Sequence, residues 1–308
     1  MGAGQKPRLI LVSRKTRLQE LIERFNTWPQ AKFYLEHNQV DAGDYLLEHD
    51  VYMQQLLEAE RVLKGHGRFQ PLERSYLPDY RFSPEDIVVV VGQDGLVANT
   101  LKYLQGQPVI AVNPDPKRWE GRLLPFVLAQ LPDVVQRTRD GKSESKSITF
   151  AEARTNDGQR LLGVNDLFIG PKSHTSARYA LHWRGQQEEQ SSSGIIVSTG
   201  FGSSGWFKSI LAGAIGVTGQ QSHPLAGGFE WQAKKLHFTV REPFPSRTSG
   251  ARLVFGEIRG EECLRLESHM PENGVVFSDG IESDYLSFNS GTVLTVGVAA
   301  DYGQLVVH

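Results

Sequence analysis

Asp94 is the residue of this sequence best placed to do chemistry. It follows the β-branched run Ile87 to Val91 and stands between Gly92-Gln93 and Gly95, ahead of residues that can begin a helix. Such a run reads as a strand buried on both faces of a parallel sheet, and in doubly wound sheets ligands bind outside the carboxyl ends of the strands. There a glycine lets the backbone approach a phosphate, and a helix start offers free N–H groups to it. A carboxylate in that place repels a phosphate. It fits if it handles a hydroxyl that attacks phosphorus, or the Mg²⁺ that accompanies a nucleotide. The same residues also read as an ordinary turn with Asp94 as a helix cap, and the motif alone leaves both readings open.

The elements that must position Asp94 are legible around it. RLILVS (8–13), DIVVVV (86–91) and PVIAVN (108–113) are continuous apolar runs. Helical stretches separate them at 16–26 and 42–64, the second with Leu47, Val51, Leu56, Ala59 and Leu63 at near-helical spacing. This alternation predicts a doubly wound α/β domain over residues 1–143. After the polar RTRDGKSESKS (137–147) the texture changes to short alternating strand candidates: 148–164, 177–183, 194–199, 234–242, 251–258 and 262–268. Asn156-Asp157-Gly158 is a hairpin signal, and one helix is expected after residue 203. Residues 144–291 therefore read as a mostly-β domain. QQEEQSSS (186–193) is expected to be a solvated loop. There is no internal repeat.

Composition removes whole classes of function. The 308 residues suffice for two domains, and 33 Lys+Arg against 35 Asp+Glu give no global pull toward nucleic acid or an anionic membrane. The single cysteine, Cys263, excludes an intrachain disulfide and a Cys-rich metal site, and is expected to be a small buried apolar residue. The first strand follows MGAGQKP directly, so no signal or transit peptide is expected. No window approaches the ~20 apolar residues of a membrane span, and a soluble cytoplasmic protein is expected. Gly141-Lys142-Ser143 ends like a phosphate-binding loop, but Gln136 occupies the position that needs glycine. GxGxxG is absent from 92–97, the histidines form no zinc-ligand pair, and GFGSSGW (200–206) is not a nucleophile elbow.

Four further stretches, taken with GQDG, carry a resemblance: VNPDPKRWEGRLLPF (112–126), GVNDLFIG (163–170), IIVSTGFGSSGWFKS (195–209) and FSDGIESDYLSFNSG (277–291). With these the chain resembles the NAD kinases, most closely the branch that includes the mitochondrial type. Arg241-Glu242-Pro243, and Asp279-Gly280 ahead of Phe288-Asn289, fit that branch, as does the long polar helix before the second strand. The motifs run in the family's order over nearly the whole chain.

The resemblance implies an α/β domain joined to a β-sandwich-like domain, as in the NAD kinase and diacylglycerol kinase superfamily, with 292–308 returning to the first domain. It implies phosphoryl transfer from ATP, or polyphosphate, to the 2′-hydroxyl of the adenosine ribose of NAD, with Mg²⁺ accompanying ATP and no protein-held metal. Asp94 matches the carboxylate that orients or deprotonates that hydroxyl. Gly92, Gln93, Gly95 and Asn113 match the phosphate cradle. Asn165 and Asp166 match an Asn-Glu pair that bonds adenine or ribose, and Ser204, Gly205, Trp206 and Ser209 match a nucleotide-contacting turn. A homo-oligomer, a dimer by analogy, is implied, with no nucleic-acid or membrane partner. Read as residues alone, Trp206 also fits a core position, Asn165 a turn and Asp279-Gly280 a hairpin.

Three departures fall on the catalytic motifs. Gln93 replaces a glycine and carries a steric cost if that position needs a positive φ. Leu96 replaces a threonine hydroxyl, and Asp166 is one methylene shorter than Glu. Ser193 stands where many bacterial members carry Asp, a difference shared with the mitochondrial-like branch. Three functions therefore stand side by side: an NAD kinase, a nucleotide-binding homologue of weak or no activity that acts as sensor or partner, and a kinase of another hydroxyl on a lipid or sugar. The Asn165-Asp166 pair and the 199–209 turn speak against the last.

Overall fold

The computed structural model describes residues 7–308. The expectation about a leader falls partly on residues 1–6, outside those described. The chain divides into two compact units, one running to Lys146 and including Gln304–His308, the other Ser147–Gly303.

In the first unit the apolar runs become the centre of a parallel sheet. Its strands lie in the order Phe69–Glu73, Leu9–Ser13, Ile87–Val91, Pro108–Asn113 and finally Gln304–Val307, the end of the long strand Val293–Val307. Val88 pairs with Val109 and Leu305 with the same Val109 from the other side. Both faces are covered, which is why all five residues of Ile87–Val91 are buried. Tyr52, Ala59 and Leu63 of the helix Ala42–His66 pack with Leu131, Val134 and Val135 of the helix Leu131–Arg139 against Leu9, Leu11, Val89, Val91 and Val112.

The helical periodicity misplaces part of one face. Leu47 is 59 % exposed, while Glu48 and Tyr52 face inward. Glu48 turns in because Arg14 and Arg17 neutralise it, a partnership that hydrophobic spacing does not register. Elements that the sequence reading lacks include the helices Trp28–His37 and Leu131–Arg139, and the edge strand Phe69–Glu73, whose Pro71 and half-exposed pattern mask it.

The second unit is mostly β. One antiparallel sheet runs Phe255–Arg259, Lys235–Val240, Ile195–Ser198, Asp166–Pro171, Gly274–Ser278 and Tyr285–Ser287. The other holds Gln186–Ser192, Ala177–Trp183, Cys263–Ser268 and the first part of Val293–Val307. Leu167, Ile169, Val197 and Phe238 of the first meet Tyr179, Leu181, Leu264 and Leu294 of the second in one core, so the unit is sandwich-like. The hairpin signal is fulfilled: Gly158, at φ 88°, turns Arg154 back onto Arg160.

Two expectations are corrected here. Residues 186–192 form an edge strand rather than a loop. Its inward positions are polar and partnered except at the Gln190 side-chain oxygen: the Glu188 carboxylate accepts from the Arg252 and Leu253 N–H groups, Gln190 donates to Leu253 C=O, and Ser192 pairs with the Tyr179 hydroxyl. Cys263, at the start of its strand, is exposed. Among the described residues no helix is long and apolar enough to cross a membrane.

Candidate active site

Within the first unit the residues singled out around Asp94 come together at the carboxyl end of the central strand. Gly92 donates its N–H to Val112 C=O at 3.3 Å, tying the turn to the neighbouring strand that ends at Asn113. A side chain at Gly92 would put Cβ 2.7 Å from Leu96 Cδ2, so the glycine follows from Leu96 packing back over the turn. Gln93 has φ −103° and ψ 166°, extended backbone open to any residue; this position needs no glycine. It is the N-cap of the helix Asp94–Leu101 but forms no side-chain cap bond. Gly95 lies exposed in the first turn, where N–H groups lack intrahelical acceptors.

Asp94 itself is half-buried. Its Oδ1 accepts the Leu123 N–H at 3.1 Å. Burial pushes its carboxyl above the usual range, against the Leu123 and Arg122 N–H groups and the Arg122 charge, which pull it down. Such a carboxyl is a better proton acceptor than an exposed one. Asn113 is committed to its own loop. It accepts the Asp115 N–H and donates to Trp119 C=O, both at 3.0 Å, and Gly121, at φ 60°, passes so close that a Cβ would lie 2.4 Å from Asn113 Nδ2.

Within the second unit a separate acidic cluster forms. The sequence places Asp279 over a hundred residues from Asn165, yet its carboxylate accepts the N–H groups of Val164 at 3.0 Å and Asn165 at 2.6 Å. Asp279 adopts φ 57°, an uncommon conformation for a residue with a side chain, and Gly280 follows at φ 72°. The pair opens the hairpin between Gly274–Ser278 and Tyr285–Ser287 and also clamps the 164–166 segment.

Asp166 starts its strand opposite Ser198 and is 7 % exposed. Among the described residues no group donates a hydrogen bond to its carboxyl. Burial first, and the Asp279 carboxylate second, push that carboxyl up to about 7.

The Ser/Gly-rich turn is built onto the same segment. Thr199 donates its hydroxyl to Val164 C=O at 2.5 Å and its N–H to Asn165 C=O at 3.0 Å. A Cβ at Gly202 would fall 2.0 Å from the Asn165 carbonyl oxygen, so only glycine permits this approach. Ser204 and Gly205 are exposed ahead of the helix Trp206–Thr218, which has no side-chain cap. Trp206 is half-buried: its ring stacks on Phe168 at 5.8 Å, packs with Ile196, Val275 and Phe277, and lies 5.3 Å under the Arg241 guanidinium. It is thus partly core, as one reading of the sequence held. Ser209 turns its hydroxyl onto Trp206 C=O at 2.7 Å. Arg241, and Phe168 as the support of Trp206, were missed; only the Arg-Glu-Pro triplet signalled the first.

No protein-family model and no curated protein matches the sequence. Solved structures match by fold. The chain is similar to yeast NADH kinase, in a crystal structure with NADH, at a TM-score of 0.61 and 14 % identity over 99 % of this chain and 84 % of that one. It is similar also to an NAD kinase from Archaeoglobus fulgidus in complex with ATP, at a TM-score of 0.56 and 15 % identity over 97 % and 92 %. At such identities the likeness is one of fold: an α/β unit and a mostly-β unit, arranged along the chain as in those two kinases.

Proposed function

We propose that this protein is an NAD kinase that transfers the γ-phosphoryl group of ATP, or a terminal group of polyphosphate, to the 2′-hydroxyl of the adenosine ribose of NAD. One observation carries the reading: Asp166 is a buried carboxyl on which none of the described residues places a donor, clamped in place by Asp279 beside the 199–205 turn. A site that buries an acceptor without a partner favours a ligand that brings hydroxyl donors, as a ribose does. The fold shared with the yeast and archaeal kinases supports the same reading.

In this proposal Asn165 and Asp166 bond the adenosine, while Ser204, Gly205, Trp206 and Ser209 line the remainder of the dinucleotide. The N–H groups of Gln93 and Gly95 face the phosphates, Gly92, whose own N–H is held by Val112, lets the turn pass close to them, and Asn113 holds the adjoining loop. Asp94 takes the proton of the 2′-hydroxyl as its oxygen bonds to the γ-phosphorus and the bond to the leaving ADP oxygen breaks. Mg²⁺ enters with ATP as part of the substrate. A cytoplasmic homo-oligomer of the mitochondrial-like branch belongs to the same proposal. The extended backbone of Gln93 weakens the alternative of an inactive homologue, because its chief ground was a steric cost at that position.

The test is NADP formation from NAD and Mg²⁺–ATP, with Asp94→Asn as the comparison. Loss of general-base help lowers turnover by about 10²- to 10⁴-fold. Binding of NAD without turnover from either donor would instead leave a nucleotide-binding protein.

A further inference from the structure

The helix Ala42–His66 has no role in the reading so far, yet three of its side chains, spaced four residues apart, reach the Asp94 turn by two routes. Tyr52, 1 % exposed, donates its hydroxyl to Val91 C=O at 2.9 Å and accepts the Arg14 N–H at 3.0 Å. Val91 is the last residue of its strand before Gly92-Gln93-Asp94, and Arg14 follows the end of the neighbouring parallel strand. The phenol thus joins two strand ends where the sheet ladder stops. Phenylalanine would fill the same space and leave both backbone groups without that partner.

One turn earlier, Glu48 is 2 % exposed and binds Arg14 Nη2 at 2.7 Å and Arg17 Nε at 2.9 Å. Burial pushes its carboxyl up, but the Arg14 and Arg17 hydrogen bonds outweigh it and hold it below the usual range. Another turn earlier, Asp44 binds Arg17 at 2.8 Å and Arg118 at 2.7 Å. Arg118 belongs to the loop that Asn113 organises, and Leu123 just beyond that loop donates the N–H that Asp94 accepts.

We propose that this helix is the positioning element of the Asp94 turn, with Tyr52 holding the strand end before it and Asp44 holding the loop that supplies its hydrogen bond. The proposal rests on the role given to Asp94. Tyr52 and Asp44 bond other groups, not Asp94 itself, and are positioning residues that act through backbone groups next to it.

Tyr52→Phe keeps the ring in the core and removes only the bridge. With carboxyl-¹³C aspartate, and Asp94→Asn to assign the resonance, the titration midpoint of Asp94 is expected to move by ~0.5 unit or more in Tyr52→Phe. If NAD is phosphorylated, kcat falls about tenfold while KM for NAD and for ATP stays within about twofold, the mark of lost orientation rather than lost binding. Arg118→Gln, at the solvated end of the second route, shifts the same resonance by less and keeps the test decisive if Tyr52→Phe fails to fold. An Asp94 midpoint unmoved in the folded variants, with only the melting temperature lowered, would make Tyr52 a core tyrosine and overturn the proposal. A wild-type protein without turnover would sink the kinase reading, and the titration would still decide this one.

Discussion

The Asp279 carboxylate accepts the backbone N–H of Asn165 at 2.6 Å across 114 positions of sequence. That bond fixes the segment from which Asp166 projects. Asp279→Ala should therefore loosen the segment while leaving the sheets intact. If the proposed NAD site is right, the NAD dissociation constant rises about tenfold or more; independently of it, a stability loss of about 1–3 kcal/mol is expected, since N–H groups lose a charged acceptor. Calorimetric titration with NAD and a urea melt measure the two effects.

The charge of Asp279 also sets the titration of its neighbour. Burial and this carboxylate hold Asp166 at about 7, so Asp279→Asn should move the Asp166 midpoint downward in a carboxyl ¹³C titration. If the ionised form accepts the ribose hydroxyls, NAD binding to the natural protein weakens by about tenfold per unit as pH falls below that midpoint. Binding independent of pH between 5 and 8 would remove Asp166 from the contact.

The same group makes a stability prediction of definite sign. Its folded pKa, about 7, lies above the unfolded value, so its favourable contribution is complete at acid pH and is lost as pH rises from about 4 through 7. Asp166→Asn is expected to raise the melting temperature at pH 8 and to change it little at pH 4.

His237 works in the opposite direction. It is buried against Phe207, Phe229 and Phe255. Burial lowers its imidazole to about 4, in spite of Glu257, which raises it, and with help from Lys235 and Arg259. Its contribution is present above the unfolded pKa and is lost as pH falls from 6.5 toward 4, on the order of 2 kcal/mol by pH 5. His237→Leu should flatten this acid limb in melts run between pH 4.5 and 7.

Gly202→Ala separates packing from chemistry. Its Cβ would sit 2.0 Å from the Asn165 carbonyl oxygen, so the turn must leave the 164–166 segment, at an expected cost of about 2–4 kcal/mol. Gly213→Ala, inside the helix Trp206–Thr218 with nothing within 4 Å of the added Cβ, is the control and should fold normally. Equal melting temperatures for the two would contradict the close approach.

Much of the fold was legible because its determinants are local. The valine-rich run at 87–91 has nowhere to go but a strand covered on both faces, and Asn156-Asp157-Gly158 has little choice but to turn. The Asp94 turn was legible for the same reason: strand, glycine and helix start are consecutive in the chain. What failed was polar burial. Residues 186–192 read as solvated, and the helix face was drawn through Leu47, because a sequence does not show that Arg252 and Leu253 will meet Glu188 or that Arg14 and Arg17 will meet Glu48.

By itself, then, the sequence determined the two textures, the strand that presents Asp94 and the order of the motifs, since each depends on neighbours within a few residues. The tertiary structure alone decided that Gln93 is extended, that Asp279 clamps Asn165, that Asp166 is buried with no donor among the described residues, and that Tyr52 joins Val91 to Arg14. Each of these depends on backbone conformation or on groups brought together from distant parts of the chain, where burial and hydrogen-bond geometry, rather than spacing, set the chemistry.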